Sequence, residues 1–344
     1  MKKSLLALAA LTAFAGAASA QSSVTLFGIV DVNLRSIDNG NGTIKSLSSS
    51  GINTSRLGFR GIEDLGGGLR AGFWIEGQMD PDTGTAQGQT WQRRSTVSLI
   101  GGFGEVRLGR DYKPTFWNTT VFDPFGTNGV GNQNNVLPTL GGAPAAGFNL
   151  VRADNAVGYF LPTMGGVYGQ LMVAAGEGTT QKYYGGRIGY AAGPINIAAS
   201  YGKNDQESGL GNLLSNDYNV WNVGASFDAK FALFAVLYNK HEYTDLDLTS
   251  YMAAVTVPVG AGKFQFSYNH SDVDVRIAGV RRERSLKQFA FGYQYDLSKR
   301  TALYAHYAQL DNDVGLNSVV GSPGRVVGTG FKSKGYEFGV RHAF

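Results

Sequence analysis

The stretch TSRLGFR, residues 54–60, carries side chains well suited to chemistry. Read with the two-residue period of a strand, Arg56, Gly58 and Arg60 point to one side and Leu57 and Phe59 to the other. Guanidinium groups stay charged at physiological pH and present planar forks of donors, so a fixed row of them attracts and orients anions. Catalysis has no comparable residue set. His241, His270, His306 and His342 stand far apart, and the HExxH, GxSxG and phosphate-loop patterns are missing. GGFGEVRLG (101–109) has the glycines of a nucleotide loop, but no helix follows, and they read as a turn. With no cysteine, thiolate metal sites and thiol catalysis are excluded. The acids of SDVDV (271–275), TDLDL (244–248) and LDNDVG (310–315) have oxygen chemistry suited to calcium, but solvated loop carboxylates are the simpler reading. The chain is therefore expected to be no enzyme and to hold no metal or cofactor.

The elements that must hold the arginines are constrained by composition. Residues 1–20, MKKSLLALAALTAFAGAASA, have the charged, apolar and small-residue zones of a secretory signal, with Ala18-Ser19-Ala20 as cleavage site and Gln21 as the expected mature start. Loss of Lys2 and Lys3 takes the formal charge from +4 to +2, too small to argue for a nucleic-acid partner. Glycine (49 residues) and aromatics (12%) are abundant, whereas charged residues make up 16% against roughly 25% in soluble domains. No run of about 18 apolar residues follows Gln21, so a chain of this kind in a membrane crosses it as strands.

Alternation supports strands. In KFQFSYNH, Phe264, Phe266 and Tyr268 oppose Lys263, Gln265, Ser267 and Asn269; KQFAFGYQY and NVWNVGASF repeat the pattern. FALFAVLY (231–238) is apolar on both faces, which points to a contact inside a barrel. Seven tight turns, at 61–69, 101–105, 161–167, 191–195, 227–231, 257–263 and 296–300, alternate with long segments near 35–52, 77–90, 111–154, 203–217, 272–285 and 311–334 and shorter ones near 176–181 and 244–248. Seven turns and eight loops join sixteen strands. A secreted sandwich or solenoid also alternates. Aromatics near strand ends on the apolar face, Arg, Lys and Gln on the polar face, and an even strand count favour an all-β, antiparallel transmembrane barrel. Leu57 and Phe59 then face lipid, and Arg56 and Arg60 a water-filled lumen.

SVTLFGIVDVNL, SRLGFRGIEDLGGGLRAGFWIE, RRSTVSLIGGFGEVRLGRDY and the terminal YEFGVRHAF resemble, in that order, the general diffusion porins of Gram-negative outer membranes. They are most similar to the anion-selective porins of beta-proteobacteria. The resemblance runs from Ser22 to Phe344 and is weakest in the long loops. It implies a multi-pass barrel of the outer membrane over 21–344, a homotrimer with one pore per subunit, and a third long loop, 111–154, folded into the lumen as a constriction. It also implies contact with outer-membrane lipid and lipopolysaccharide, and a terminal Phe344 read by the outer-membrane assembly machinery.

In such porins an arginine cluster on the wall faces the inserted loop. The matching positions are Arg56, Arg93 or Arg94, and Arg152. Strand parity prefers Arg94, since Val97 and Leu99 define the outward face, whereas the family spacing prefers Arg93. Arg60, Arg35 and Arg70 are weaker candidates, each able to pair with a carboxylate such as Glu63, Asp64 or Glu76 instead; for Arg70 that pairing is the better reading. Between Lys113 and Val151 the only acid is Asp123, so a positive constriction is expected that admits small anions and hydrophilic solutes passively. Asp123 pairing with an arginine to hold the loop is an equal reading. A second functional reading is a substrate-specific channel for organic acids or sugars, with Phe116, Trp117 and Phe125 as an apolar track. A barrel enzyme or adhesin is the third.

Overall fold

The computed structural model describes residues 23–86, 90–137, 149–177, 181–206, 217–243, 246–277, 280–321 and 328–344. The leader expected over 1–20 lies outside them, as do 138–148 of the segment 111–154.

Seventeen strand segments form one closed antiparallel sheet. Its first part holds β1 (Ser23–Asp38), β2 (Thr43–Ser49), β3 (Arg56–Gly66), β4 (Leu69–Gln78), β5 (Arg94–Gly101) and β6 (Gly104–Tyr112). After a long connection come β7 (Arg152–Phe160), β8 (Val167–Ala174), β9 (Gln181–Ala192), β10 (Ile195–Gln206), β11 (Asp217–Asp228) and β12 (Leu233–Glu242). The circuit ends with β13 (Leu246–Val259), β14 (Gly262–Ile277), β15 (Val280–Asp296), β16 (Thr301–Asn312) and β17 (Lys332–Ala343). β1 pairs with β17 from Ile29↔Ala343 to Asp38↔Lys334, which closes the barrel. On its other edge β1 pairs with β2 at Val32↔Ser49 and with β3 at Ile29↔Arg56. β2 and β3 therefore fill one position between them, and the barrel has the sixteen expected strand positions.

The break between β2 and β3 places Arg56. The Asp31 carboxylate accepts the backbone N–H groups of Gly51, Ile52 and Asn53 at 3.1, 2.9 and 2.7 Å. Ser50 takes a left-handed φ of 70°, and a Cβ at Gly51 would overlap the Tyr304 hydroxyl. Buried carboxylate oxygens need donors, and the loop's backbone supplies them.

Alternation sets the two surfaces. Phe264, Phe266, Tyr268, Phe289 and Phe291 are exposed, while Gln265, Ser267, Asn269 and Gln288 between them are buried. In a closed barrel the exposed apolar set is the lipid-facing band and the polar set faces inward. All seven tight turns are present. Two long segments are shorter than expected. Residues 35–52 are mostly strand with a turn at 39–42, and 272–285 is mostly the hairpin of β14 and β15. Their polar ends remain paired through cross-strand contacts such as Arg281–Asp274 at 2.5 Å, because ladder bonds do not require an apolar face.

At the other end of the strands, Phe344 exchanges backbone hydrogen bonds with Gly28, 3.1 Å from Gly28 N and 3.0 Å from Gly28 O. Its ring covers Gly28, where a side chain would collide.

Candidate functional site

The connection after β6 opens with helix α1 (Pro114–Phe122), whose first position is a proline, a residue pre-set for N1 because its missing N–H is not needed there. A 3-10 turn follows at Gln133–Val136. Asn118 donates to Asn222 at 2.7 Å, and Asn222 donates back to the Thr115 carbonyl at 3.1 Å. Thr119 donates to Asn239 at 3.3 Å. Phe122 packs with Ala198, Leu237, Met252 and Ala254 and covers Gly224, where a Cβ would overlap its ring. Leu237 thus accounts for the doubly apolar FALFAVLY: its inward side chain meets Phe122. All these contacts fall on the face opposite the exposed Trp221 and Val223.

Asp123 lies just after the helix and is buried. It accepts the N–H groups of Phe125, Thr127 and Gln133 at 2.9, 3.0 and 3.1 Å. Burial pushes its carboxyl up to about 6, against those three donors. No arginine pairs with it among the described residues, so it shapes the loop through the backbone. Phe125 is likewise buried, edge-on to His306 at 5.2 Å, and takes no part in an apolar track. The same corner holds a buried ion cluster: Arg35 meets Glu337 at 2.7 Å, His306 Nδ1 meets it at 3.0 Å, and Val130 N donates to it at 3.2 Å. Arg35 is therefore an anchor beside the loop tip and does not join the other arginines. Lys113, at the other end of α1, donates to the Asn149 carbonyl and to Asn204; burial pulls its amine down to about 7.

A cavity of about 970 Å³ lies between this segment and β3 to β9. Arg56, Arg93, Arg94 and Arg152 all line it, with Phe116 and Trp117. Arg93 and Arg94 are not alternatives. Residue 93 precedes β5, where strand parity does not bind, and its side chain reaches Glu76 at 2.6 Å and the Tyr112 hydroxyl at 2.8 Å. Arg94 follows parity, 4.6 Å above the Trp74 ring and 3.7 Å from Asp111. Arg56 shares Glu76 at 3.2 Å. Arg152 donates to the Arg93 carbonyl at 2.5 Å and the Tyr112 hydroxyl at 2.9 Å, and sits 4.4 Å from the Tyr112 ring centre. Arg60 lies apart, against the rings of Phe27 and Trp74 at a smaller cavity of about 420 Å³ that Arg94 and Arg107 also reach.

Two arginines of the larger cavity, Arg107 and Arg187, escape the sequence reading. Arg107 pairs with Asp111 at 2.5 Å and Glu105 at 2.9 Å. Arg187 donates to Asn118 at 2.8 Å and to the Tyr168 hydroxyl at 3.2 Å. Each stands in a strand beside outward apolar residues, Leu108 and Ile188, and that parity is the signal that could have found them. The cavity thus gathers six arginines against Glu76 and Asp111, and the described loop residues add no carboxylate to its lining. At the rim, Asp272 meets His270 at 2.9 Å and Asp274 meets Arg281. No group of three potential metal ligands exists among the described residues.

Residues 7–315 match the Gram-negative porin family. Over the full length of both chains the protein is 40% identical to outer membrane porin protein 32 of Delftia acidovorans and 28% identical to an outer membrane porin protein of Bordetella pertussis. Its fold superposes on an anion-selective porin from Comamonas acidovorans with a TM-score of 0.82 and 36% identity, covering 94% of this chain and 100% of the other. A closed barrel with an apolar exterior and a polar interior, together with these matches, shows that the chain belongs to the Gram-negative porins, channel proteins that span the outer membrane many times.

Proposed function

We propose that this porin lets small hydrophilic solutes diffuse passively and prefers anions, with segment 111–154 as the constriction of its pore. The observation that carries this reading is the charge of the cavity, six arginines facing two carboxylates of the strands, Glu76 and Asp111, with no carboxylate added by the described loop residues beyond β6. A wall of low dielectric focuses such a field, raises the local anion concentration and repels cations. Guanidinium groups fixed on aromatic faces pass an anion along through transient charge-assisted contacts. Supporting it are the inner-face contacts of α1 and the similarity to a porin described as anion-selective. The same reading includes cleavage after residue 20, a homotrimer in lipopolysaccharide-containing membrane, and Phe344 as an assembly signal.

The test is the zero-current potential of the purified protein in a planar bilayer under a KCl gradient. A potential of the sign for chloride, reduced in Arg152→Gln, is expected; cation preference would overturn the charge argument. The aromatic companions of the arginines, Trp74, Tyr112, Phe116 and Trp117, favour a second reading, a channel with an affinity site for organic acids or sugars. Flux that saturates at low solute concentration would select it, and linear flux would select general diffusion.

A further inference from the structure

The barrel wall makes an inward excursion of its own. β1 pairs with β2 as far as Val32↔Ser49 and with β3 from Ile29↔Arg56, so residues 50–55 leave the ladder opposite Val30 and Asp31. Two serines close the neck of this excursion. Ser55 Oγ accepts from Asp31 N at 2.9 Å and donates to the Asp31 carbonyl at 3.0 Å, while Ser50 Oγ accepts from Ser55 N at 3.0 Å. These hydroxyls satisfy backbone groups that the broken ladder leaves without strand partners.

The excursion meets the tip of segment 111–154 inside the lumen. Thr54 Oγ1 donates to Asn128 Oδ1 at 2.9 Å, and Asn128 turns its amide nitrogen onto the Gly126 carbonyl at 2.6 Å. Gly129, at a φ of 65°, comes so close that a Cβ there would overlap the Gly51 carbonyl. Asn53, Thr54 and Arg56 line the arginine cavity beside Gly126, Thr127 and Asn128. The Thr54 carbonyl accepts from Arg56 Nε at 2.8 Å. Thr54 thus works in two directions: its hydroxyl holds the loop tip and its carbonyl orients an arginine.

One buried side chain holds this arrangement. The Asp31 carboxylate takes four donors, the N–H groups of Gly51, Ile52 and Asn53 and the Tyr304 hydroxyl. We propose that Asp31, which does not line the cavity, is a positioning residue of the pore. It folds 50–55 inward and, through Thr54, sets both the bore at the join with Asn128 and the aim of Arg56. A carboxylate suits this task because it accepts at every lone pair, whereas an amide in its place turns an N–H toward at least one of those donors. The aim of Arg56 rests on the anion reading; the bore does not.

The test records single channels and zero-current potentials from Asp31→Asn, Thr54→Val and the double variant. Thr54→Val keeps the side chain's shape and removes the hydroxyl that reaches Asn128. In KCl gradients centred on about 0.1 M, Asp31→Asn is expected to lower the chloride-to-potassium permeability ratio about twofold, because the guanidinium is displaced and not removed. Both single variants should raise open-channel current noise, and the double variant should be no noisier than Asp31→Asn, since the two changes break one path. The sign of the parent's potential bears on the anion reading, and the differences from the parent bear on Asp31. A conducting Asp31→Asn channel with parental ratio and noise, or noise that adds in the double variant, would overturn the assignment. Thr54→Val leaves Asp31 and its donors in place, so it tests the join even where Asp31→Asn does not fold; parental noise and conductance in that variant would also overturn it.

Discussion

Removing one guanidinium should cost selectivity in proportion to how far that charge is left unopposed. Arg56 and Arg93 share Glu76, and Arg94 and Arg107 share Asp111. Arg152 has no carboxylate partner among the described residues; its side chain contacts the Tyr112 ring and two neutral oxygens. Arg152→Gln therefore deletes a whole uncompensated charge. The cavity of about 970 Å³ is equivalent to a sphere of about 6 Å radius, and at that separation in water one charge contributes about 0.7 kcal/mol. Unscreened, that favours an anion about threefold and disfavours a cation by the same factor, so the permeability ratio changes about tenfold. With a Debye length of about 10 Å at 0.1 M salt the change falls to about fourfold, and with about 3 Å at 1 M it falls below about one-and-a-half-fold. Zero-current potentials of Arg152→Gln in KCl gradients centred on those two concentrations test both the size and the salt dependence. Arg300→Gln, on the turn between β15 and β16, is the control for a positive charge outside the cavity. If the two variants shift the ratio equally, or if the Arg152 effect is the same at 1 M as at 0.1 M, the electrostatic reasoning fails.

Gly224→Ala places a methyl where the Phe122 ring lies; it should unseat α1 while leaving the barrel closed, and single-channel recordings should show a larger, noisier conductance. Arg35→Met leaves Glu337 buried without its guanidinium and should destabilise the protein by about 3–5 kcal/mol. Urea unfolding followed by tryptophan fluorescence should show that loss, and adding Glu337→Gln should recover part of it. Asp123 carries a pH signature. Its folded value of about 6 exceeds the ordinary 3.8, so the folded chain holds the proton more tightly than the unfolded chain. Stability from this group is complete below about pH 4 and is lost as pH rises through about 6, by about 3 kcal/mol. Asp123→Asn should remove that slope from unfolding free energies measured between pH 4 and 7.

Strand identity was legible because lipid and lumen impose opposite chemistry on alternate residues, so KFQFSYNH and KQFAFGYQY mark their own two faces. Strand length was less legible. The ends of β1, β2, β14 and β15 stay paired through runs rich in Ser, Asp, Lys and Arg, and such composition alone cannot separate an extended hairpin from a loop. Arg56 and Arg152 were found by matching a family pattern, whereas Arg107 and Arg187 sit in ordinary alternation and needed the closed barrel to bring them to one cavity. Arg35 shows the converse. Its inward parity is right, but Glu337, 302 residues away, takes its charge, and no local pattern encodes a partner that distant.

Apart from Asp111 and Asp154 at its two ends, no described residue of the loop joins a carboxylate to an arginine of the wall, and this bears on how the pore stays open to ions. If carboxylates on the loop clamped it to wall arginines, each clamp would cancel a charge the pore needs. Here α1 is seated by the amide of Asn118, the hydroxyl of Thr119 and the ring of Phe122. Its tip is tied by backbone donors to Asp123 and Glu337, and the Gln265 side chain donates to the Pro124 carbonyl. Arg187 serves both purposes, since it donates to Asn118 of the helix while lining the cavity. Neutral and deeply buried anchors hold their geometry as salt rises, whereas the field of the arginines is screened. The fold therefore predicts a constriction whose size is constant with ionic strength and whose selectivity is not.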